Sequence, residues 1–422
     1  MKEQWSSNLM FIIAVIGSAV GLGNIWRFPY MAGQYGSSFI VVYIISIVVL
    51  GLPIMLLEFI AGRHFSAPIT GSFSSIGRGL GRLSSIFIAL NMIILSYYVV
   101  VAGWTLGYVY LSLIGAYAPL GEHLQEPIFL VFTPITLLIT LMIMRNTLKD
   151  GIEKANKILM PIFLGILFLM LSHSLTLPGL WEAIKFYTTF KGITAEAIAA
   201  AITQALFSLG VGTGVMLTYA SHLQKGERIA SSAAIASFSD TAIALIAGIA
   251  IFPIVFTYGL NPESGPALAF DTLPIAFLQM PFGNILMPLF FILLFSVALT
   301  SIISMAELLV ADLSPSIGRD KAALATISLT FLLSIPSMLS YSPINLSFMG
   351  MPVLDLLDGV FVVWAYPLVA VLMVLVLGWC WDGFERESAR VMPAVLLRPY
   401  IFLVKFVIPF ALLAAIIMKV FS

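Results

Sequence analysis

Long apolar segments with almost no charge dominate this sequence and constrain its fold more than any other feature. Many windows of 18 or more residues are nearly free of charge, which is typical of helices that cross about 30 Å of hydrocarbon. Charged residues make up 9% and hydrophobic residues 60% of the chain, whereas soluble proteins carry roughly 25% charged residues. The composition therefore predicts an all-α polytopic membrane protein.

Other features of the composition exclude several kinds of site. The single cysteine, Cys380, rules out an internal disulfide and a cysteine-based metal site, and the four histidines show no metal-ligand spacing. The formal net charge is zero, so nothing indicates a nucleic-acid partner. The apolar segments contain no pair of catalytic acids and no nucleophile–base pair. We therefore expect a protein that is not an enzyme.

Eleven apolar segments are long enough to be transmembrane helices. Residues 262–281 are interrupted by four prolines, which disfavour a continuous helix, so this stretch is predicted to be a structured external loop. The predicted helices cover residues 9–33, 38–61, 84–115, 128–145, 153–173, 195–221, 232–258, 284–312, 322–340, 352–380 and 399–420.

The distribution of lysine and arginine orients these helices. With the N-terminus inside the cell, the internal segments hold 15 of the 20 basic residues, and the external ones hold only Lys185, Lys191 and Lys419. Cytoplasmic loops of membrane proteins are enriched in lysine and arginine. We therefore expect a plasma-membrane protein with a cytoplasmic N-terminus and, with eleven helices, an external C-terminus.

Two of the predicted helices are interrupted by glycine. The sequence GSAVGLGNIWRFP at residues 17–29 breaks the first helix, and FSLGVGTG at residues 207–214 breaks the sixth. Two five-helix repeats of opposite orientation would place breaks at these positions, and paired broken helices indicate a transporter binding site near the middle of the membrane. Close helix packing is the alternative explanation, but two breaks at matching places favour the binding site.

Polar residues at membrane depth support this interpretation. A carboxylate such as Asp240 costs about 3 kcal/mol or more there unless it is paired or binds a cation. Arg27 and Asp358 both fall toward the outer side, where they can form an ion pair. Thr300 and Ser301 supply adjacent hydroxyls, which can alternatively bond their own helix backbone. Oxygen ligands suit an alkali cation and free helix-start amides suit a carboxylate, so the set predicts that Na⁺ and a zwitterion bind together.

Several motifs resemble the neurotransmitter:sodium symporter family. They are GSAVGLGNIWRFPY in the first helix, PIMLLEFIAGR in the second, SYYVVVAGWTLGY in the third, QALFSLGVGTGVMLTYAS in the sixth, LTS in the eighth and LDLLD before the tenth. The resemblance, to prokaryotic amino-acid transporters in particular, covers essentially the whole chain. It implies one transmembrane domain, 1–422, in which inverted five-helix repeats at approximately 9–173 and 195–380 are followed by a peripheral helix at 399–420.

By resemblance, two sodium ions are bound where the first helix unwinds. The first site would combine the substrate carboxylate with ligands from Ala19, Asn24, Ser208 and Asp240. The second would use three backbone carbonyls and two hydroxyls, from Gly17, Val20, Val297, Thr300 and Ser301. The implied activity is sodium-coupled uptake of an amino acid or amine by alternating access.

The substrate pocket that the resemblance implies has three parts. The carboxylate would meet two amides and a phenol, at Leu22, Gly23 and Tyr98, and the amino group would meet carbonyls at Ala19, Phe207 and Ser208. The substrate side chain would be surrounded by Ile94, Phe207, Gly210, Thr213, Ser301 and Met305. Because none of these positions carries a charge and two of them are small, we expect a neutral hydrophobic L-amino acid, aromatic or branched.

Departures from the family pattern lead to two further expectations. Asp240 stands where many members have asparagine, and Ala244 stands where chloride-dependent members have serine, so we expect transport that needs no chloride. The outer gate would be Arg27 with Asp358. At the inner gate, Lys2 replaces the usual arginine near Trp5, and the acidic partner is absent from its usual place. Asp312 and Glu307 are the nearest candidates for that partner.

The expected partners are an amino acid, sodium ions and the lipid bilayer. Two other functions stay open at this point: a channel in which the glycine breaks form a filter, and a sodium-dependent amino-acid sensor without coupled transport. The Gly151–Pro161 spacing resembles the one that the family associates with inward release, which favours a transport cycle. A monomer and a homodimer are both compatible with the sequence.

Overall fold

Helices make up almost the entire fold of the computed structural model, which describes residues 3–116, 120–224, 226–264 and 267–420. A two-stranded antiparallel hairpin pairs β1 (Ser347–Phe348) with β2 (Met351–Pro352). The first half of the chain contains the helices α1 (Asn8–Ala19), α2 (Gly23–Tyr35), α3 (Ser37–Phe65), α4 (Ile69–Ile76), α5 (Leu80–Ile114), α6 (Leu120–His123), α7 (Phe129–Met144), α8 (Lys149–Ser174) and α9 (Leu180–Thr188).

The second half continues the same helical architecture. Its helices are α10 (Ala195–Leu209), α11 (Val215–Ser221), α12 (Ile229–Thr257), α13 (Leu268–Gln279), α14 (Gly283–Ile317), α15 (Arg319–Ser340), α16 (Val353–Cys380), α17 (Phe384–Ala389) and α18 (Ala394–Val420).

The eleven predicted membrane segments all fall on helices. Among the described residues, eight helices are long and apolar enough to cross a membrane, and α1 with α2 forms a ninth that is bent by 51°. The other two predicted segments coincide with α7 and with the pair α10 and α11, which are individually shorter. The predicted external loop contains one short helix, α13, in which Pro274 lies where a π-helical start, Leu268–Thr272, passes into the regular α-helical part, Leu273–Gln279.

Both predicted helix breaks are present. Helix α1 starts at an N-cap, where the Ser7 side chain accepts a hydrogen bond from the Met10 amide, and it ends at Ala19 because Val20 is extended. The break between α10 and α11 contains three glycines with positive φ, namely 62° at Gly210, 83° at Gly212 and 91° at Gly214. Residues with a β-carbon rarely adopt this conformation, so the glycines permit the helix to unwind there.

The two breaks meet at the centre of the helix bundle. Helix α1 packs between α12 and α14, while α10 packs against α3 and α18. Helix α14 lies along α5 and also contacts α8 and α15. The breaks at residues 20–22 and 210–214 therefore share one central space with the middle of α5 and α14.

Candidate functional site

A central cavity lies between the two helix breaks. Its wall includes all six residues predicted to surround a substrate side chain, together with Ala19, Gly23, Tyr98 and Ser208. The sequence analysis missed four polar residues that also line it: Ser18, Asn91, Ser304 and Tyr366. None of the lining side chains in this described part of the chain is charged. The cavity therefore suits a ligand with an uncharged side chain.

The backbone of the first break lies beside the cavity and close to side chains of α5 and α14. The Leu22 amide donates a hydrogen bond to the Tyr98 hydroxyl oxygen at 3.1 Å. A β-carbon at Gly21 would come within 2.6 Å of the Ser301 hydroxyl and 3.0 Å of the Tyr98 hydroxyl, so a side chain at this position would displace both. Glycine is therefore required where the backbone approaches α5 and α14 closely.

Asp240 is the centre of a buried polar cluster. Its carboxylate accepts hydrogen bonds from Asn24 Nδ2 at 2.7 Å, Ser208 Oγ at 2.8 Å and Tyr43 Oη at 3.2 Å. Asn24 Nδ2 also donates to Ser208 Oγ at 3.0 Å. Three of the four residues predicted for the first sodium site, all but Ala19, thus lie together with Tyr43. These four side chains come from four different helices.

Four of the five predicted ligands of the second sodium site, all but Gly17, lie together around Ser301. The Ser301 hydroxyl lies 3.2 Å from the Val297 carbonyl, 3.4 Å from the Ser18 carbonyl and 3.5 Å from the Val20 carbonyl. The Thr300 hydroxyl donates to the Val297 carbonyl at 2.9 Å. Thr300 thus bonds its own helix backbone, whereas Ser301 connects α14 to the unwound end of α1.

Glu58 holds the second break in place, a role that the sequence analysis did not assign. Its buried carboxylate accepts hydrogen bonds from the amides of Gly214 and Leu217, each at 3.1 Å, and from the amide of Gly212. These amides have no partner within the helix because α11 begins at Val215. A carboxylate in the middle of the apolar helix α3 was the available signal in the sequence.

A second cavity lies above the central one, on the side away from the N-terminus. Arg27, Tyr97 and Asp358 line it. Gly23, Tyr98 and Phe207 belong to the walls of both cavities and therefore lie between them. Among the ion pairs of the described residues, none joins Arg27 to Asp358. Asp358 accepts a hydrogen bond from Tyr97 Oη at 3.1 Å, and the Arg27 guanidinium lies 5.3 Å from the centre of the Phe207 ring.

The candidates for the inner gate, on the N-terminal side of the bundle, have different partners. Lys2 lies outside the described residues. Asp312 accepts hydrogen bonds from the Thr70 amide at 3.1 Å and the Thr70 hydroxyl at 2.9 Å, so it holds the start of α4. Glu307, the other candidate, forms a buried ion pair with Arg319 at 2.8 Å.

Comparison with known proteins identifies the family. Residues 2–120 and 129–422 match the model of the Sodium:neurotransmitter symporter family. The chain belongs to this family. Sodium-dependent transport is therefore its class of activity, which sets it apart from enzymes, and the long apolar helices are those of a membrane transporter.

Related symporters match over most of their length. An uncharacterized sodium-dependent transporter of Haemophilus influenzae is 30% identical over 451 residues, covering 100% of this chain and 98% of its own. YhdH, an uncharacterized sodium-dependent transporter of Bacillus subtilis, is 34% identical over 359 residues, covering 81% of this chain and 80% of its own.

A solved structure of a related protein confirms the predicted fold class. The crystal structure of MhsT in complex with L-phenylalanine superimposes with a TM-score of 0.90 and 35% identity, covering 99% of this chain and 100% of that chain. The all-α, inverted-repeat transporter fold with discontinuous first and sixth helices is thus the fold of this symporter.

Proposed function

We propose that the protein imports a neutral hydrophobic L-amino acid together with Na⁺ by alternating access. The observation that carries this proposal is the central cavity, which has uncharged walls and lies directly against the two polar clusters. Its wall includes Ile94, Phe207, Met305 and Tyr366, which offer apolar contact area to an aromatic or branched side chain. The related MhsT structure contains L-phenylalanine, an amino acid of this class.

The polar groups around the cavity form two sets, one for each end of the substrate. The Leu22 and Gly23 amides and the Tyr98 hydroxyl would hold the carboxylate, because amides at a helix start attract anions. Carbonyls of Ala19, Phe207 and Ser208 would hold the amino group. Gly210 and Thr213 leave room for a large side chain beside Ser301.

We propose two sodium sites beside this pocket. The first would use Ala19, Asn24, Ser208 and Asp240, where a buried carboxylate needs a cation to balance its charge. The second would use Ser301 and Thr300 with three backbone carbonyls, those of Gly17, Val20 and Val297. Both groups consist of oxygen ligands, which suit a hard monovalent cation.

The Asp240 charge also leads us to propose that transport needs no chloride. Ala244, one helical turn further along α12, is buried and offers no hydroxyl to an anion. We expect uptake to be unchanged when chloride is replaced by gluconate, and the Asp240→Asn variant to lose Na⁺ affinity or to become sensitive to anions. A strong loss of uptake by the unmodified protein in gluconate would contradict this.

The membrane placement that we propose follows the basic residues. The N-terminal side of the bundle, with Trp5 and Arg319, would face the cytoplasm, and the cavity with Arg27 and Asp358 would face outward across the plasma membrane. Residues 9–173 and 195–380 would form the two inverted repeats.

A two-stage experiment tests the proposal. Purified protein is first screened by thermal shift with all twenty amino acids, in Na⁺ and in choline. We expect stabilisation by aromatic or branched amino acids in Na⁺ only. Proteoliposomes are then given an inward Na⁺ gradient, and the radiolabelled amino acid that stabilised best should accumulate until the gradient is dissipated. Binding without accumulation would indicate a sensor, and Na⁺ flux without amino acid would indicate a channel.

A further inference from the structure

The chain segment before α1 is fastened to the N-terminal side of the bundle at several points. Trp5 is 2% exposed, and its indole Nε1 donates to the Tyr219 carbonyl at 2.8 Å. The amide and the hydroxyl of Ser6 both donate to the Glu153 carboxylate at 2.6 Å. These contacts tie the segment to α11 and α8, so α1 cannot swing away from the bundle until they break.

Arg319 joins this segment to the rest of the bundle by charge. Its guanidinium forms a bidentate pair with Glu307, with Nη1 to Oε1 at 3.0 Å and Nη2 to Oε2 at 2.8 Å. Arg319 Nη1 also lies 3.3 Å from Glu3 Oε2, and Arg319 Nε donates to the Asn146 carbonyl at 2.6 Å. One cation thereby connects the N-terminal segment, α14 and the turn before α8.

The turn between α14 and α15 explains how Arg319 reaches these partners. Gly318 has a φ of 81°, a conformation that favours glycine, and it reverses the chain between the two helices. Arg319 is the first residue of α15 and returns its side chain toward Glu307, twelve residues earlier.

The two carboxylates bind this cation unequally. The Glu307 side chain is fully buried and makes two charged hydrogen bonds to Arg319, whereas the Glu3 side chain is 30% exposed and meets Arg319 through one contact at 3.3 Å. The same Glu3 oxygen also accepts a hydrogen bond from the Leu148 amide at 3.1 Å. A buried bidentate pair is strong and costly to break, and a part-exposed single contact is weak. Glu307 therefore retains Arg319, and Glu3 is the partner that can leave.

We propose that Glu3 and Arg319 form the releasable latch of the inner gate, with the cation supplied by the bundle and the anion by the N-terminal segment. This is the reverse of the polarity expected from the family resemblance, in which the N-terminal segment supplies the cation. The contact keeps α1 against the bundle, and its breakage lets α1 move outward for release. The inference rests on the alternating-access function proposed above and assigns the residues that close its cytoplasmic side.

A thiol-accessibility assay tests the latch. Cys380 is exposed and is replaced by serine, and Ser232→Cys then provides a reporter. Ser232 is buried on α12, where its hydroxyl donates to Asn8 Oδ1 of α1 at 3.2 Å, so the reporter becomes accessible only when α1 moves away. Labelling by a membrane-impermeant maleimide is measured on purified protein in Na⁺.

We expect Glu3→Gln to increase the labelling rate by up to about five-fold, the upper size for a part-exposed ion pair. Glu3→Arg should increase it further because it places two cations together. In the Arg319→Gln background, Glu3→Gln should have no additional effect, since the partner is already absent. Arg319→Lys tests in a second way whether the Glu3→Gln effect depends on Arg319, because it keeps the charge beside Glu307 while removing the bidentate geometry.

The matched control is Arg145→Gln. Arg145 pairs with Asp320, the residue after Arg319, but both side chains are more than half exposed, so this pair should contribute little. The latch is overturned if Glu3→Gln labels like its parent, if Arg145→Gln is equally fast, or if the effects of Glu3→Gln and Arg319→Gln simply add. Na⁺-dependent thermal stabilisation by the amino acid is measured in every variant, so that a failure of the proposed function is recognised separately.

Discussion

The two ends of the central cavity differ in how their charged residues are paired. On the N-terminal side, Arg319 contacts Glu3 and Glu307 at once, and Trp5 is buried against α11. On the opposite side, Arg27 and Asp358 line the second cavity but contact aromatic side chains instead of each other. The same kind of interaction is thus made on one side and not on the other, and we propose that the second side, here called the open side, is where the substrate enters.

In the proposed transport cycle, these are the interactions that would change. An ion pair formed on one side holds the helices there, while Arg27 and Asp358 on the other side would form such a pair when that side closes. Because Arg27 belongs to α2 and Glu3 precedes α1, the two halves of one broken helix would carry the two proposed gates. The unwound residues 20–22 between them permit these halves to move separately.

The largest effect is expected when the open side can no longer close. Arg27→Gln removes the cation that Asp358 would pair with, and losing one partner of a part-buried pair costs about 3–5 kcal/mol. We expect Na⁺-driven uptake to fall by at least about 100-fold, with thermal stabilisation by Na⁺ and the amino acid retained. Lys185→Gln, at an exposed lysine of α9, is the control. Normal uptake by Arg27→Gln would show that the ion pair is not needed for closure.

A smaller effect is expected from the loss of the Ser301 hydroxyl, which connects the pocket to α1. Ser301→Ala removes the hydroxyl that reaches the carbonyls of Ser18 and Val20, and with it one proposed sodium ligand. We expect Na⁺ affinity to fall about ten-fold, as for loss of one hydrogen bond to a charged group. Na⁺ should also protect the reporter thiol at position 232 less than in the parent.

Ser296→Ala is the matched control for this measurement. Ser296 lies on the same helix, α14, is also buried, and bonds only to the Ile292 carbonyl of its own helix at 2.7 Å. If both serine variants change Na⁺ affinity equally, the effect belongs to the packing of α14 and not to a sodium site.

Local sequence signals predicted the centre of the molecule better than its two ends. Glycines that unwind a helix act within a few residues, so the breaks at 20–22 and 210–214 and the pocket residues near them were predictable. Asn91 and Ser304 were missed because they lie on regular apolar helices, where facing the cavity depends on helix rotation. The Arg319 contacts were missed because they depend on the turn at Gly318 and on a segment more than 300 residues away in the sequence.

The smallest effect is expected from the Tyr97 hydroxyl, which forms a hydrogen bond with Asp358 on the open side. Tyr97 Oη donates to Asp358 Oδ1 at 3.1 Å, and this bond competes with an ion pair to Arg27. Tyr97→Phe leaves the carboxylate free to turn toward the guanidinium, which favours closure. Because a net hydrogen bond contributes about 0.5–1.5 kcal/mol, we expect apparent amino-acid affinity to rise by roughly three-fold.

The control for this variant is a second tyrosine–aspartate pair near the same side. Tyr341 Oη donates to Asp355 Oδ2 at 2.6 Å, and Tyr341→Phe should leave amino-acid affinity unchanged. A fall in affinity with Tyr97→Phe would mean that the hydroxyl positions Asp358 for closure and does not hold it away from Arg27. The direction of this small change in affinity therefore decides whether Tyr97 holds Asp358 away from Arg27 or positions it for closure.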